Sequence, residues 1–228
     1  MQLDLLRKYI DQFAEMLSQQ PDQKILAYYE TQQNWQQHFE IDAPDFAKVY
    51  DRSLENTISR RLWKTEKYEP KRMMLLFLAQ DESFARDAFR DLFNEEKSVE
   101  NRIDRFVFYC DQFLELYRRA NPTKIDSNHY HDYFTNSLYL SFQFPDRYAP
   151  YEPDTLTGLL RNLGVRNLPL GGDYSRHVKV TKTIYTFLEK NEKLMAAHQA
   201  RLRPNKDFLA KSYLLVWEFA RFVTKREG

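Results

Sequence analysis

Glycine is scarce in this sequence, and its scarcity excludes the commonest phosphate-binding loops. The 228 residues contain five glycines, the first of which is Gly158. P-loop and Rossmann folds need glycine where the backbone approaches a phosphate closely, so neither fits the first two thirds of the chain. The motif G-x-x-x-x-G-K-[ST] is absent from the whole sequence. We therefore expect no nucleotide hydrolysis and no cofactor.

Cysteine, long apolar runs and an excess of one charge are also lacking. Cys110 is the single cysteine and cannot form an internal disulfide; its place on an apolar stripe predicts a small buried hydrophobe rather than a nucleophile. No apolar run approaches the roughly 20 residues of a membrane span, and the N-terminus is unlike a signal peptide. With 34 Lys and Arg against 33 Asp and Glu, the net charge is +1. The sequence predicts a cytoplasmic protein without membrane association.

What the chain has in quantity is apolar and aromatic residues at helical spacing. Hydrophobic residues make up 43% and aromatic residues 15% of the chain, enough to bury a core. One stripe alternates steps of four and three, as a helix face requires: Val99, Ile103, Phe106, Cys110, Phe113 and Tyr117. The pattern predicts an all-α fold: a compact, irregular, orthogonal bundle of about ten helices with no regular repeat. We expect a single helical domain over 1–228, with subregions 1–164 and 173–228.

Capping residues predict where individual helices begin and end. Asp42 is expected to cap the third helix, with Pro44 in its first turn, and Pro70 to open the fourth. Asp132 precedes a helix over 133–144, and Gly164 is expected to end the helix that starts at Pro153. The last helix is predicted over 207–225.

A basic stretch with interleaved aromatics is the first candidate site. Residues 60–72, RRLWKTEKYEPKR, carry six cations against two carboxylates. Such cations can neutralise phosphates, and exposed aromatics can stack on unpaired or flipped bases. The alternative is a solvated connection whose aromatics pack on the core. The candidate DNA-binding residues are Arg60, Arg61, Trp63, Lys64, Lys67, Tyr68, Lys71 and Arg72.

Two further stretches are polar. Residues 81–104 contain eight carboxylates against four cations, which suits either an acidic face for a protein partner or ion pairs between neighbours. The sequence NHYHD at 128–132 resembles a ligand cluster, but no further ligand pattern follows it, so no metal is expected. Asp132 or Asn128 should cap the helix, with His129 or His131 buried and hydrogen-bonded. Asn128, His129 and His131 remain candidate ligand contacts, and no catalytic residue is predicted.

Several separated words of the sequence resemble the helical region that precedes the AAA+ motor in bacterial McrB-like restriction ATPases/GTPases. The resemblance extends from about residue 25 to 223. Its words, in order, are NW at 34–35, FEIDAPDFA at 39–47, FRDLFNE at 89–95, RIDRF at 102–106, NHYHD at 128–132, SLYL at 137–140 and FPDRY at 144–148. It implies a module that selects a target for a ring-forming motor and a partner nuclease. The chain lacks the motor's own motifs and looks like an isolated domain or fragment.

The resemblance and the basic stretch together favour a non-catalytic DNA target-recognition domain of a modification-dependent antiphage restriction system. Its partners would be DNA, modified or plain, and the AAA+ motor and nuclease of the same system. The alternative is a module that docks a partner subunit, a phage protein or a neighbouring protomer. An enzyme would need a pocket around His129, His131 and Asp132, and no motif supports one.

Overall fold

The computed structural model describes residues 1–19, 22–59, 62–65, 67–123, 126–169 and 173–225. These residues form eleven helices, and the predicted all-α class is confirmed. Within the described ranges no strand occurs beyond one isolated antiparallel bridge between Thr65 and Tyr68. The helices are α1 (Leu3–Gln19), α2 (Gln23–His38), α3 (Phe46–Ser53), α4 (Pro70–Gln80), α5 (Glu82–Phe93), α6 (Val99–Ala120), α7 (Tyr133–Gln143), α8 (Pro153–Asn162), α9 (Tyr174–Leu188), α10 (Glu192–Arg201) and α11 (Leu214–Lys225).

Several helix ends lie where the sequence places them. Ser98 caps α6, its hydroxyl accepting from the N–H of Asn101 at 3.4 Å. Asp132 caps α7 through the N–H of Thr135 at 3.0 Å. Gly164 follows α8 with φ of +71°, a left-handed conformation that favours glycine over residues with a Cβ. Local capping chemistry is therefore sufficient to define these boundaries.

Two predicted boundaries are wrong. Helix α3 begins at Phe46, and its cap is Asp45, which accepts from the N–H of Lys48 at 3.0 Å, rather than Asp42. The last helix begins at Leu214 instead of 207. Residues 202–213 are held in a non-helical path by long-range backbone bonds, from Phe208 N–H to Tyr29 O at 3.1 Å and from Tyr213 N–H to Pro145 O at 2.8 Å.

The helices enclose two apolar clusters. The first, here called the aromatic cluster, is built mainly from α3 to α7 and includes Trp35, Phe89 and Tyr139. The second, called the terminal cluster, joins α1 to α10 and α11 and includes Phe13 and Trp217. Both clusters take buried residues from each side of the predicted boundary between 164 and 173. The N-terminal helix thus packs against the C-terminal helices, and the two subregions share their cores.

Candidate functional site

The basic-aromatic stretch lies in the connection between α3 and α4. Arg60, Arg61 and Glu66 lie outside the described residues. Thr65 and Tyr68 exchange backbone hydrogen bonds, N–H of Thr65 to O of Tyr68 at 2.9 Å and the reverse at 3.4 Å, so the chain turns tightly there.

Both aromatic side chains of the stretch pack inwards. Trp63 is 5% exposed, and its indole N–H donates to the carbonyl of Leu54 at 2.8 Å. The hydroxyl of Tyr68 lies 3.0 Å from the hydroxyl of Thr135 on α7, and burial raises the pKa of Tyr68 well above its usual range. Trp63 therefore presents no free face on which a base could stack. Burying this large apolar ring, with its N–H satisfied, favours the packed position over an exposed one.

The four described cations of the stretch, two near the turn and two at the start of α4, have different surroundings. Lys64 has a side chain 75% exposed and lies 3.7 Å from Glu69, and Lys67 is also exposed. Lys71 forms an ion pair with Asp51 at 2.8 Å. Arg72 pairs with Glu69 and Asp126, and these partners raise the pKa of its guanidinium. Lys64 and Lys67 face solvent, whereas Lys71 and Arg72 are held by carboxylates.

A cavity of about 590 Å³ opens beside this stretch. Its volume lies within the range of about 300–1,000 Å³ that is usual for ligand sites. Trp63 and Leu75 form apolar wall, and Asn34 and Asn56 contribute amides. The charged lining consists of four carboxylates and three cations: Glu30, Asp51, Glu55, Glu69, Lys64, Lys71 and Arg72. A neutral hydrogen-bonding group suits this interior better than a phosphate, because the carboxylates slightly outnumber the cations.

The second polar stretch, NHYHD, forms a strained turn before α7. The side-chain oxygen of Asn128 accepts from the N–H of Tyr130 at 2.6 Å, and Tyr130 has φ of +62°. A bulky residue in this left-handed region is an outlier that the surroundings must stabilise. On either side of it, His129 and His131 turn into the protein, 8% and 0% exposed. The prediction of a capping Asp132 with buried, hydrogen-bonded histidines is confirmed.

The two histidines are linked to each other and to buried hydroxyls. His129 Nδ1 accepts from the backbone N–H of His131 at 2.9 Å, and its Nε2 lies 3.1 Å from Asp111 Oδ1. His131 Nε2 lies 3.1 Å from the hydroxyl of Tyr139, which in turn is 2.7 Å from that of Tyr50. Burial lowers the pKa of His129, an effect that Asp111 opposes. Burial and the neighbouring His129 lower the pKa of His131 to about 3, so that ring is neutral.

Cys110 completes this group. Its sulfur and one nitrogen from each of His129 and His131 all lie within 4.8 Å of one another. Burial raises the pKa of the Cys110 thiol well above its usual range. The sequence predicts Cys110 only as a core residue, and that burial is confirmed. Its proximity to the histidines was missed, and the one available signal was a cysteine on the inward face of a helix that ends just before the histidine pair.

Several carboxylates of the acidic stretch, residues 81–104, form ion pairs with neighbouring cations. Asp91 pairs with Lys97 and Arg105, and Glu82 with Arg86. These pairs correspond to the second of the two readings that the sequence left open. These ion pairs argue against a broad acidic interaction surface over residues 81–104.

No described helix is both long and apolar enough to cross a bilayer. Comparison of the chain with family models, with curated proteins and with solved structures finds no match.

Proposed function

We propose that the chain is a non-catalytic DNA-recognition module of an McrB-like restriction system, acting with an AAA+ motor and a nuclease in the cytoplasm. The cavity beside the basic-aromatic stretch carries this proposal. Its lining combines apolar and amide groups with the exposed cation Lys64, and the exposed Lys67 lies three residues further along the same connection. Phosphates would meet these two lysines, and Arg60 and Arg61 extend the same basic sequence. The resemblance of separated sequence words to McrB-like proteins is a further argument for the same assignment.

The ion pairs reduce the number of residues over 60–72 that we expect to contact DNA. Lys71 and Arg72 form close ion pairs, at 2.8 Å with Asp51 and 2.6 Å with Glu69, so we assign them to holding the site rather than to contacting DNA. Lys64 is 75% exposed and 3.7 Å from Glu69, a looser contact that a phosphate could replace. Trp63 seals the cavity wall instead of stacking from an exposed position. The cavity itself would receive a neutral group, for which an extruded nucleobase is the candidate.

A salt series on duplex binding tests the phosphate contacts. We expect the double variant K64A/K67A to bind roughly tenfold or more weakly at ~0.1 M salt and to lower the salt slope by about two, because each phosphate contact contributes about one unit. The matched control is K190A/K193A, which removes two exposed lysines near the start of α10. Equal slopes for the two double variants would contradict the proposed interface.

A second variant tests the cavity separately. Glu55 is exposed and lines the cavity. Glu55→Trp should fill part of the opening and abolish any preference for a modified over a plain duplex. Because the lysines remain, the salt slope should stay unchanged. A preference that survives this variant would assign base recognition to another surface.

A second candidate function is docking of a protein partner, favoured by exposed apolar side chains on α6. Phe108 is 57% and Leu116 43% exposed. Phe108 and Leu116 lie about two helical turns apart on α6, and a partner that covers both would remove their apolar surface from water. Retention of a partner subunit at high salt, lost in F108S/L116S and without nucleic acid in the eluate, would favour this function over DNA binding.

A further inference from the structure

Three side chains able to bind a metal ion meet between α6 and the turn that precedes α7. Cys110 comes from the helix, and His129 and His131 come from the turn. All three residues are buried, and their donor atoms lie within 4.8 Å of one another. Two imidazoles and a thiol form a donor set that suits Zn²⁺ and chemically similar ions.

His131 has a ring nitrogen without a hydrogen-bond partner among the described residues. His131 is 0% exposed, and its Nδ1 has no hydrogen-bond partner there. Its other nitrogen, Nε2, lies 3.1 Å from the Tyr139 hydroxyl. If Nε2 carries the ring proton and donates it to Tyr139, Nδ1 presents a free lone pair, and this is the form in which histidine binds metals. The hydroxyl pair of Tyr139 and Tyr50 thus orients His131.

We propose that Cys110, His129 and His131 form a binding site for a divalent ion of the zinc class. Tetrahedral zinc, with bonds of about 2.3 Å to sulfur and 2.0–2.1 Å to nitrogen, separates its ligand atoms by about 3.3–3.6 Å. The observed group needs side-chain movements on the order of 1 Å to reach that geometry. On binding, the thiol releases its proton to solvent and the thiolate binds the ion.

His129 must exchange one hydrogen bond to take part. Its Nδ1 accepts from the N–H of His131, whereas its Nε2 faces Asp111, whose side chain is 65% exposed. Nε2 is the nitrogen that can change partner at less cost, because water can take over the exposed carboxylate. The ion would then tie α6 to the turn that contains Tyr130.

A second buried histidine shows why the group, rather than the unpartnered nitrogen, carries the inference. His177 is also buried with an unpartnered Nδ1, and its Nε2 lies 3.1 Å from the carbonyl of Ala149. Among the described residues it belongs to no group of potential metal ligands. His177 is therefore the matched control for His131.

Titration of the purified 228-residue chain with Co²⁺ tests the proposal. We expect one ion per chain, a thiolate-to-cobalt charge-transfer band in the near ultraviolet, and displacement by Zn²⁺ but not by Mg²⁺. Cys110 is the single cysteine of the chain, so this band can arise only from it. Absence of the band at one equivalent of Co²⁺ would overturn the proposal, whatever the behaviour of any variant.

Variants then assign the histidine ligands. Cys110→Ser should abolish the band. His131→Asn should weaken Co²⁺ binding by more than the roughly 10–100-fold that loss of a ligand's hydrogen-bond partner costs. His177→Asn should bind Co²⁺ as the parent chain does. Equal affinities for H131N and H177N would remove His131 from the site. If H131N does not fold, the spectrum of the parent chain still decides. The result is independent of the proposed DNA binding, which the salt series tests without added metal.

Discussion

The two apolar clusters differ in the side chains from which they are built. Half of the buried members of the aromatic cluster are Phe, Tyr or Trp, against a quarter in the terminal cluster. In the first, Phe89 packs on several rings, among them Phe106 at a centroid distance of 5.0 Å. In the second, aliphatic side chains dominate, and α1 and α11 contribute the most. Tyr and Trp side chains bring hydroxyl and N–H groups into a core, and these groups can form hydrogen bonds to other buried polar groups. Aliphatic side chains offer no such partners.

The polar groups that each cluster contains differ accordingly. The aromatic cluster holds a neutral chain, Tyr50 to Tyr139 to His131, and one buried cation, Arg102, bonded to the Leu92 carbonyl and the Tyr148 hydroxyl. The terminal cluster is bordered by charged pairs, of which Arg201 with Glu218 is the most deeply buried. A neutral group can exchange partners without leaving an uncompensated charge. The candidate metal ligands lie in the aromatic cluster, beside its neutral chain of hydroxyls.

Breaking the charged pair should have the largest effect. The side chains of Arg201 and Glu218 are 3% and 6% exposed. Arg201→Ala leaves Glu218 as an unpaired buried charge, and we expect it to lower the free energy of unfolding by about 3–5 kcal/mol in urea denaturation. The double variant R201M/E218L should retain more stability than R201A, since it removes both charges. A loss below about 1 kcal/mol for R201A would mean that water reaches this pair.

The second largest effect is expected from acid, which should lower the free energy of unfolding through His177 at the edge of the aromatic cluster. Burial lowers the pKa of His177 to about 4, below an unfolded value of about 6.5. Between these values the unfolded chain binds more protons, so the free energy of unfolding decreases as the pH falls from 6.5 to 4. Protonation of His177 in the unfolded chain should lower the free energy of unfolding by roughly 3 kcal/mol at pH 4, and it should have no effect above pH 7.

The slope of stability against pH measures this contribution. His177→Asn should lower the slope by about 1.4 kcal/mol per pH unit between pH 6.5 and 4, whatever its effect at pH 7. The rest of the slope should remain, because burial also lowers the pKa values of His131 and His198 to about 3. Replacing the partly exposed His38 by Asn serves as the control. A slope that is equally steep in H177N and in the parent chain would assign the acid sensitivity to other groups.

A smaller loss is expected inside the neutral chain of the aromatic cluster. Tyr139→Phe keeps the ring and removes the hydroxyl that lies between Tyr50 and His131. It should cost about 1–3 kcal/mol, because polar atoms remain buried without a partner. Thermal denaturation measures it, and Tyr9→Phe on the partly exposed face of α1 is the matched control. A loss as small as that of the control would show that the chain of hydroxyls is solvated.

The smallest effect should come from a surface pair of the terminal region. Lys211 lies 3.7 Å from Glu189, with side chains 43% and 51% exposed. Lys211→Ala should change the free energy of unfolding by no more than about 1 kcal/mol, and less at high salt. A loss comparable with that of R201A would break the contrast between buried and exposed pairs.

Local chemistry predicted much of the helical framework and little of the connections. The stripe on α6, the proline that opens α4 and the glycine after α8 were recognisable because each acts over a few neighbouring residues. Asp42 was the predicted cap of α3, but it pairs with Arg90 of α5, and Asp45 caps the helix. Residues 202–213 read as helix, yet backbone bonds to Tyr29 and Pro145 hold them elsewhere. Such bonds join residues far apart in sequence, which periodicity does not report.

The candidate sites show the same limit. The density of cations over 60–72 is visible in the sequence, but which cations face solvent depends on Asp51, Glu69 and Asp126. Likewise the histidine pair in the turn before α7 was noticed, but its proximity to Cys110 on α6 was not.

By itself, the sequence determined the all-α class, the amphipathic faces of most helices and the absence of a phosphate-binding glycine loop. These properties depend on residue type and spacing within about one helical turn or one short loop. Only the tertiary structure decided that Trp63 lines the cavity instead of offering an exposed ring for stacking. It also decided that Lys64 and Lys67 remain exposed and that Cys110 lies close to His129 and His131. Burial and proximity arise from the packing of distant segments, and the order of residues along the chain does not specify that packing directly.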